Sequence, residues 1–479
     1  MKKFKPNKYI CYLYFIIPLI INAVISYSSN EDIWYIMRYG KIILEKGFIH
    51  TDILSIHSNL HIVIQQAFSN VLFYLIYKYF GNFGFFLLCE LMIGLYLWIM
   101  YKICMLLSNK KVLLSVLLPN ITCTLLEISF ITPSPRIFTY FNILLIIYIM
   151  EKFYKDNDTK LIYFLPLISL LQMNFHGALW YFIFLFLLPY IAQMIIEKNK
   201  KVVKILLLMI IMFLMGFINP YTYENVFFPF TTYDTFINGF IMELSSVNIA
   251  SKSLPVLLIS IYFYIILGTI LLIYIYDKKG KLELRHLFLL GGTTILALVN
   301  IRSIPFFIIG SIIPLANYLK HRKWTVTDNY IDTKKAWTFV AILIFIVAIL
   351  NNNRLKSEVK TGGDFLKQKY PQNIILYTVP DYGSYMEYLG FHSYIDTRAE
   401  VFLKKANHKE DIFREAMIIE STCYNYQDFI KKYHFTHMIV NKESCLYYYL
   451  KQDNIKIIFN EKKYAIFELE NIENRKVEE

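Results

Sequence analysis

Several features that mark common protein classes are missing from this chain of 479 residues. Its six cysteines lack the spacing of a zinc motif, which argues against a structural zinc site. The basic first residues lead into an apolar run, but no small-residue cleavage site follows, so we expect a retained first helix rather than a signal peptide. No internal repeat is found, which weighs against transporters built from two similar halves.

What the sequence has in excess is apolar side chains, which make up 56% of its residues, with aromatic residues at 17%. These values lie above the range of ordinary globular domains. The apolar residues occur in blocks separated by short basic linkers, which predicts many membrane-spanning helices rather than one large core. The net charge of +13 would suit nucleic acid. However, Lys and Arg cluster between the apolar blocks, where they indicate topology and contact with anionic lipid headgroups, so we expect a membrane and no nucleic acid as the partner.

About eleven apolar runs can cross a bilayer as helices. They are residues 9–27, 83–102, 112–131, 136–152, 161–175, 178–196, 203–218, 254–276, 286–301, 303–319 and 336–351. With the N-terminus in the cytoplasm, this count places every Lys- and Arg-rich linker on the cytoplasmic side, as the positive-inside rule requires. Residues 66–80 are apolar but short, and counting them as a span would reverse every later loop. We therefore expect them to lie flat at the outer interface, as an amphipathic helix that ends at a glycine turn.

Residues 352–479 differ from the rest because they are charged and contain no spanning run. Short β-like runs alternate with helical stretches there, which predicts a small α/β domain with a mainly parallel sheet and a terminal hairpin. The strands are predicted at residues 373–379, 393–397, 437–441, 456–460 and 464–469.

An odd number of spans places this domain outside the cell. The predicted division is thus a transmembrane domain over residues 1–351 and an extracytoplasmic α/β domain over residues 352–479. Cys423 and Cys445 fall in the second domain and can pair there if it faces an oxidising space, but nothing in their spacing demands a disulfide.

In this topology, polar and charged residues from five separate turns share the outer face. The first loop begins with Glu31 and Asp32, and the other candidates for a binding site are Arg136, His176, Asn219, Tyr221, Glu224 and Arg302. Carboxylates at a membrane boundary are expensive to desolvate, so they usually line a hydrated cavity and often carry function. The alternative is that Glu31 and Asp32 only cap the helix that follows them.

These residue types suit a lipid-phosphate substrate. Arg136 and Arg302 offer guanidinium groups, which bind phosphate or pyrophosphate through paired, charge-assisted hydrogen bonds. The aromatic loop at 219–253 can cover an isoprenoid chain, and Asp32 can act as a general base that takes the proton of an acceptor hydroxyl. The plainer alternatives are that the arginines are snorkelling anchors and that the loop is an interfacial aromatic belt.

Short motifs over nearly the whole chain carry a family resemblance. They are the acidic pair Glu31–Asp32 with Trp34 and Gly40, the loop Gly47–Ser55, and the signatures Pro135–Arg136, Asn174–Gly177, Asn219–Tyr221, Arg302–Pro305, Asp381–Leu389 and Tyr394–Arg398. Together they resemble the GT-C superfamily of polyprenyl-phosphate-sugar-dependent membrane glycosyltransferases. Within it, the chain is most similar to the bacterial protein mannosyltransferase and lipid A aminoarabinose transferase groups.

This resemblance implies inverting transfer of one sugar from a polyprenyl-phosphate donor to an extracytoplasmic glycan or lipid acceptor of the cell envelope. It maps the catalytic base onto Asp32, with Glu31 as a less favoured partner. Some relatives use a divalent cation near this site and others do not, so metal dependence is left open. The C-terminal domain departs from the better-known transferases, and Asp396 and Arg398 there either bind glycan or form a structural ion pair.

Three other functions stay open at this point. A polysaccharide polymerase or ligase would depend on outer-loop arginines and a histidine rather than on a first-loop aspartate. A transporter of lipid-linked oligosaccharide would be expected to show repeats and broken helices. A scaffold that has lost catalysis would keep the fold alone.

Overall fold

The structure is a computed structural model, and it describes residues 14–24, 31–156, 160–232, 236–237, 240–324, 355 and 357–469. The helices are α1 (Ile16–Val24), α2 (Asp32–Lys46), α3 (Ala67–Leu107), α4 (Val112–Glu127), α5 (Arg136–Asp156), α6 (Leu165–His176), α7 (Phe182–Leu185), α8 (Leu188–Ile196), α9 (Val202–Met215), α10 (Tyr223–Thr231), α11 (Leu254–Tyr276), α12 (Leu284–Val299), α13 (Ile304–Tyr318), α14 (Lys360–Lys369), α15 (Pro380–Leu389), α16 (Lys404–Asn407), α17 (Ile412–Thr422), α18 (Tyr426–Tyr433) and α19 (Cys445–Gln452). The strands are β1 (Ile375–Tyr377), β2 (His392–Ser393), β3 (His437–Asn441), β4 (Lys456–Asn460) and β5 (Tyr464–Glu468).

The chain forms two compact units. The first, which we call the membrane unit, takes its described residues from 14–24, 82–222 and 236–324. The second, the loop–sheet unit, takes them from 31–81, 223–232 and 355–469. The C-terminal residues are therefore compact with the first loop and α10, which the sequence assigned to the transmembrane domain. The domain boundary after residue 351 stays a prediction.

Apolar helices dominate the membrane unit. Among the described residues, five helical segments are long and apolar enough to cross a membrane: Ala67–Leu107, Arg136–Asp156, Leu161–Leu179, Leu254–Tyr276 and Ile301–His321. Shorter apolar helices are Val112–Glu127, Phe182–Ile196, Val202–Met215 and Leu284–Val299. The predicted polytopic helical architecture is confirmed. The predicted span at 9–27 has its described part in α1, and the one at 336–351 lies outside the described residues.

Helices of the membrane unit differ in how much of their surface is buried. Along α11, large apolar side chains such as Ile265 and Ile275 are about two-thirds exposed, at 63% and 62%. A surface of this kind is stable in lipid but not in water. Every residue of α13 is buried, so this helix forms the centre of the unit. It packs against α12 at Gly310, where an added Cβ would lie 2.7 Å from the side chain of Thr293.

Helix α3 covers both the predicted amphipathic segment and the span that follows it. Its backbone is non-helical at Gly81, where φ is +57°. Glycine adopts this left-handed conformation without a Cβ clash, so the two helical segments change direction there. The expectation that residues 66–80 form a helix ending in a glycine turn agrees with this geometry, and their flat placement at the interface stays a prediction.

The loop–sheet unit is built on a five-stranded sheet with the order β2-β1-β3-β5-β4. Strand β1 pairs in parallel with β2 and β3, whereas β5 pairs antiparallel with β3 and β4. The sheet is thus mixed, and the prediction of a mainly parallel sheet is wrong because the terminal hairpin β4–β5 contributes both antiparallel pairings. The hairpin itself is confirmed. A disulfide joins Cys423, just after α17, to Cys445, the first residue of α19.

The first loop extends this sheet at its β2 edge. Ser55 forms a parallel bridge with Ser393, and the backbone N–H of Ile56 donates to the carbonyl oxygen of Ser393 over 2.9 Å. A second bridge, between Thr51 and His61, closes the loop on itself. Covering the short edge strand in this way satisfies backbone groups that an open edge would leave unpaired.

Candidate functional site

The predicted acidic pair lies at the start of α2 in the loop–sheet unit. Asp32 is the first residue of this helix, and Glu31 precedes it without making a side-chain capping hydrogen bond. Both side chains are partly exposed. A carboxylate in the first turn of a helix is stabilised by the helix dipole. Side-chain capping by Glu31 therefore does not explain the pair, and Asp32 occupies a favourable position in the first turn of α2.

Helix α2 is held in place by close packing on both sides. The indole of Trp34 is 3% exposed, and its ring centroid lies 4.8 Å from that of Tyr385 and 5.1 Å from that of Tyr388. Nearly two turns further on, Gly40 allows the backbone of Asn70 to approach so closely that an added Cβ would lie 2.0 Å from its carbonyl oxygen. The position of Asp32 is thus fixed by the body of its own helix.

A buried ionic cluster connects the first loop to the C-terminal residues. It consists of Asp52, Glu387, Asp396 and Arg398, whose side chains are at most 2% exposed, and we call it the Arg398 cluster. The Nη1 of Arg398 donates to Asp52 over 2.7 Å, and its Nε donates to both oxygens of Asp396 over 2.9 and 3.0 Å. Its Nη2 lies 3.4 Å from Glu387. The structural ion pair considered for Asp396 and Arg398 is therefore present, and it extends to Asp52.

Neighbouring hydroxyl groups complete the cluster. Asp52 accepts hydrogen bonds from the hydroxyl of Ser55 over 2.6 Å and from the hydroxyl of Tyr39 over 3.0 Å. Ser393 donates to Glu387. Because Tyr39 belongs to α2 and Ser393 to β2, the cluster ties the helix that carries Asp32 to the sheet.

The protonation of the Arg398 cluster follows from its charge balance, since one guanidinium faces three carboxyl groups. Burial raises the pKa of Glu387 well above its usual range, and the nearby charges of Asp396 and Asp52 raise it further. Burial likewise raises the pKa of Asp396. Two negative charges in excess are costly in a buried site, which favours the protonated form of a carboxyl group in the cluster.

The two arginines predicted to bind phosphate lie together in the membrane unit. Arg136 begins α5, and Arg302 lies in the turn that precedes α13. Glu243 is between them: its carboxylate is 2.9 Å from Nη1 of Arg136 and 3.9 Å from Nε of Arg302. Burial alone would raise the pKa of Glu243, but the two guanidinium groups outweigh it and lower this pKa. The three side chains, which we call the arginine pair with Glu243, therefore carry a net charge of +1.

The other predicted binding residues of the membrane unit have packing partners of their own. His176 is buried, with its Nδ1 2.7 Å from the hydroxyl of Thr139, and both arginines of the pair act on it electrostatically. Asn219 stabilises a turn, since its side chain donates to the carbonyl of Gly216 and accepts from the backbone N–H of Tyr221. Tyr221 is 2% exposed. The side chain of Asn219 thus stabilises its own turn, and the binding roles expected for His176, Asn219 and Tyr221 stay predictions.

Glu224 lies in the loop–sheet unit, in the first turn of α10. Its Oε2 is 3.4 Å from Nε2 of His61, and it lines a cavity of about 260 Å³. Among the described residues, no three His, Cys, Asp or Glu side chains form a group that could hold a metal ion.

Sequence reasoning assigned no role to Glu243 or Glu387. Glu243 follows an aromatic stretch in a loop, and the sequence indicates a role for it solely because a lone carboxylate in such a loop needs a cationic partner. The second lies in the middle of an ordinary helical pattern, and only its burial beside Arg398 distinguishes it.

Comparison with solved structures establishes the fold. The oligosaccharyltransferase of Archaeoglobus fulgidus, in its crystal structure tethered to an acceptor peptide with the NVT sequon, matches with a TM-score of 0.60 and 11% identity over 92% of this chain and 70% of that one. ArnT from Cupriavidus metallidurans, in its crystal structure bound to undecaprenyl phosphate, matches with a TM-score of 0.52 and 11% identity over 95% of this chain and 96% of that one. The chain has the GT-C fold.

A further structure with this GT-C fold is that of the oligosaccharyltransferase AglB from Archaeoglobus fulgidus in complex with an inhibitory peptide and a dolichol-phosphate. It matches with a TM-score of 0.51 and 11% identity over 92% of this chain and 70% of that one. No protein-family model and no curated protein sequence matches the chain. The GT-C resemblance inferred from short motifs is thus confirmed for the fold, and at 11% identity it assigns no role to any single residue.

Proposed function

We propose that this GT-C protein is an inverting glycosyltransferase, which moves one sugar from a polyprenyl-phosphate donor to an extracytoplasmic glycan or lipid acceptor of the cell envelope. The observation that carries the proposal is the arginine pair with Glu243, a net-positive group in a chain with this fold. Two proteins of the same fold are solved with undecaprenyl phosphate and with dolichol-phosphate, and these ligands share a phosphate group on a polyprenyl chain.

The arginine pair is suited to hold the donor phosphate. Arg302 is 34% exposed and Arg136 is 16% exposed, so an anion can reach at least one of the two guanidinium groups. Glu243 neutralises one of the two positive charges and keeps the arginines close to each other before a donor binds. A phosphate brings more negative charge and more acceptor oxygens than the carboxylate, so it competes well for both guanidinium groups.

Asp32 is the proposed base, with Glu31 as the alternative. In the proposed step, the acceptor hydroxyl oxygen forms a bond to the anomeric carbon while the bond from this carbon to the donor phosphate breaks. The hydroxyl proton moves to the Asp32 carboxylate, and polyprenyl phosphate leaves with the bonding electrons. The arginines stabilise the charge that develops on the leaving phosphate. Attack opposite the leaving group inverts the configuration of the anomeric carbon.

The charge distribution of the linkers supports a topology for this reaction. With the Lys- and Arg-rich linkers in the cytoplasm, the first loop and the C-terminal residues lie outside. The Cys423–Cys445 disulfide agrees with this placement, because disulfides persist in oxidising spaces. We therefore propose a cytoplasmic N-terminus and an extracytoplasmic loop–sheet unit.

A transfer assay in proteoliposomes tests the proposal. Labelled polyprenyl-phosphate hexose is incubated with cell-envelope extract and with wild-type protein, Asp32→Asn or Glu45→Gln. Glu45 is an exposed acid of the same helix and pairs with Lys41 across one helical turn, so it controls for the loss of a charge on α2. Removing a general base lowers rates by about 10²–10⁴-fold, and we expect this loss for Asp32→Asn alone.

The same assay separates donor binding from proton transfer. Arg302→Ala should raise the KM for the donor more than Arg302→Lys, because lysine keeps the charge but not the paired hydrogen bonds. Arg322→Ala, which removes a partner of Asp277 in the same unit, is the control. Equal transfer by wild type, Asp32→Asn and Arg302→Ala would refute the assignment of the site. No transfer with any donor would refute the glycosyltransferase itself.

A further inference from the structure

A cavity of about 260 Å³ lies within the loop–sheet unit, between the first loop, α10 and residues 400–408. One part of its wall is aromatic, with Tyr223 and Phe227, whose side chains are 61% and 44% exposed. The remainder is polar and includes His61, Glu224, Glu400 and Lys405. The wall thus offers aromatic rings, hydrogen-bond acceptors and hydrogen-bond donors within one small volume.

Glu224 leaves an acceptor available in this cavity. Its Oε2 is buried and accepts no hydrogen bond from the residues that the structure describes, and Nε2 of His61 lies 3.4 Å from it. A buried carboxylate oxygen without a hydrogen bond is costly, so a ligand that donates to it would bind there favourably. A hydroxyl group is such a donor.

A second cavity of this unit has carboxylates that are already paired. It has a volume of about 550 Å³ and lies against α17 and α18. Its carboxylates are already paired through hydrogen bonds, since Lys432 donates to Glu415 over 2.9 Å and the backbone N–H of Arg414 donates to Asp411 over 3.2 Å. These hydrogen bonds already occupy the carboxylates that a polar ligand would need, whereas Oε2 of Glu224 accepts no hydrogen bond from the described residues.

Size and charge narrow the class of ligand. Cavities that enclose drug-sized ligands measure about 300–1,000 Å³, so a volume of about 260 Å³ suits a single ring. The carboxylates of Glu224 and Glu400 outnumber the single ammonium group of Lys405 in this wall, which disfavours a phosphate. Aromatic rings with carboxylates suit a molecule that has apolar C–H faces and hydroxyl edges. A neutral sugar ring has both.

We propose that this cavity is a subsite for one neutral sugar ring of the acceptor. Tyr223 and Phe227 pack against the face of the ring, and Glu224 accepts a hydrogen bond from one of its hydroxyl groups. His61 stays beside Glu224 and keeps its carboxylate in place. The assignment of this sugar to the acceptor rests on the proposed function, because the sugar of the donor has the same chemistry.

A binding experiment tests the subsite without any need for activity. Purified full-length protein in detergent is mixed with methyl glycosides of glucose, galactose, mannose and N-acetylglucosamine, and saturation transfer from protein to sugar is measured by NMR. Tyr223→Ala and Glu224→Gln are compared with Tyr448→Ala, which removes a 63% exposed tyrosine that lies outside the cavity. We expect at least one glycoside to bind wild type and Tyr448→Ala equally, and to bind the two cavity variants about tenfold more weakly.

The transfer assay then identifies the source of the sugar. For Tyr223→Ala we expect the KM for the acceptor to rise about tenfold while the KM for the donor and kcat change little. A rise in the donor KM instead would overturn the assignment to the acceptor. Equal NMR signals from Tyr223→Ala and Tyr448→Ala would overturn the subsite, even if transfer by wild type is intact. If no donor supports transfer but the cavity variants still lose the NMR signal, the sugar site stands and the proposed function fails.

Discussion

Replacing Arg398 by methionine should destabilise the loop–sheet unit severely. The guanidinium contacts Asp52, Asp396 and Glu387 in a site that is at most 2% exposed. Removing one partner of a buried ion pair costs about 3–5 kcal/mol, because the other charge is left uncompensated. Three carboxyl groups would be left here, but they can relieve the repulsion by binding protons. We therefore expect a loss of about 4 kcal/mol near neutral pH, which is a large part of the 5–15 kcal/mol that stabilises most proteins.

The cost should also depend on pH in a known direction. Without the guanidinium, the three carboxyl groups repel each other when they are ionised and not when they are protonated. The destabilisation by Arg398→Met should therefore be smaller at pH 5 than at pH 8. A cost that was constant over this range would mean that methionine acts through packing alone.

Thermal unfolding of the purified protein in detergent, followed by tryptophan fluorescence, measures this effect, since Trp34 is buried in the same unit. A loss of about 4 kcal/mol corresponds to a fall in Tm of roughly 8–16 °C for a domain of 150–250 residues. Arg414→Met is the matched control, because Arg414 is 53% exposed and lies 3.5 Å from Asp411. A surface pair of this kind contributes about 1 kcal/mol or less. Equal Tm values for the two variants would refute the reasoning.

Two further predictions concern the stability of the same unit. Because the pKa of Glu387 is raised in the folded protein, the folded state keeps a proton that the unfolded state loses, and stability should fall as pH rises from the ordinary carboxyl range towards the raised pKa. In Tm measurements from pH 5 to 8, Glu387→Gln should flatten this dependence. Glu443→Gln, a change at an exposed site, is the control and should leave the dependence unchanged. Changing both Cys423 and Cys445 to serine removes a disulfide between residues with a sequence separation of 22 and should lower the free energy of unfolding by about 3 kcal/mol. A reductant should therefore lower the Tm of wild type to that of the variant and leave the Tm of the variant unchanged.

Local patterns were enough to predict much of the fold. Strand β3 and hairpin strand β4 occur at the predicted residues 437–441 and 456–460, because each is a short β-prone run between turn residues. The apolar spans were predictable for a similar reason, since a bilayer requires about twenty consecutive apolar residues. The order of the strands was not predictable. Strand β5 lies between β3 and β4, and this arrangement depends on pairing between separate segments rather than on the composition of each strand.

The candidate site was predictable only in part. Arg136 and Arg302 stood out as guanidinium groups in turns of the predicted outer face, and the structure does bring them together. Their partner Glu243 was missed as a site residue, as its role depends on a contact with Arg136 across 107 positions of sequence. Arg398 and Asp52 are separated by 346 positions, and nothing in the sequence near either residue indicates the other.

The buried contacts also indicate what the C-terminal residues contribute to helix α2. Helix α2 has Asp32 as its first residue, Trp34 two residues later and Tyr39 in its middle. Trp34 packs on Tyr385 of α15, and Tyr39 contacts Arg398. Buried ion pairs add little net stability compared with apolar packing, yet they tolerate few alternative arrangements, because every misplaced charge is penalised. The contacts of Tyr385 and Arg398 with α2 thus restrict the position of the helix that carries the proposed base.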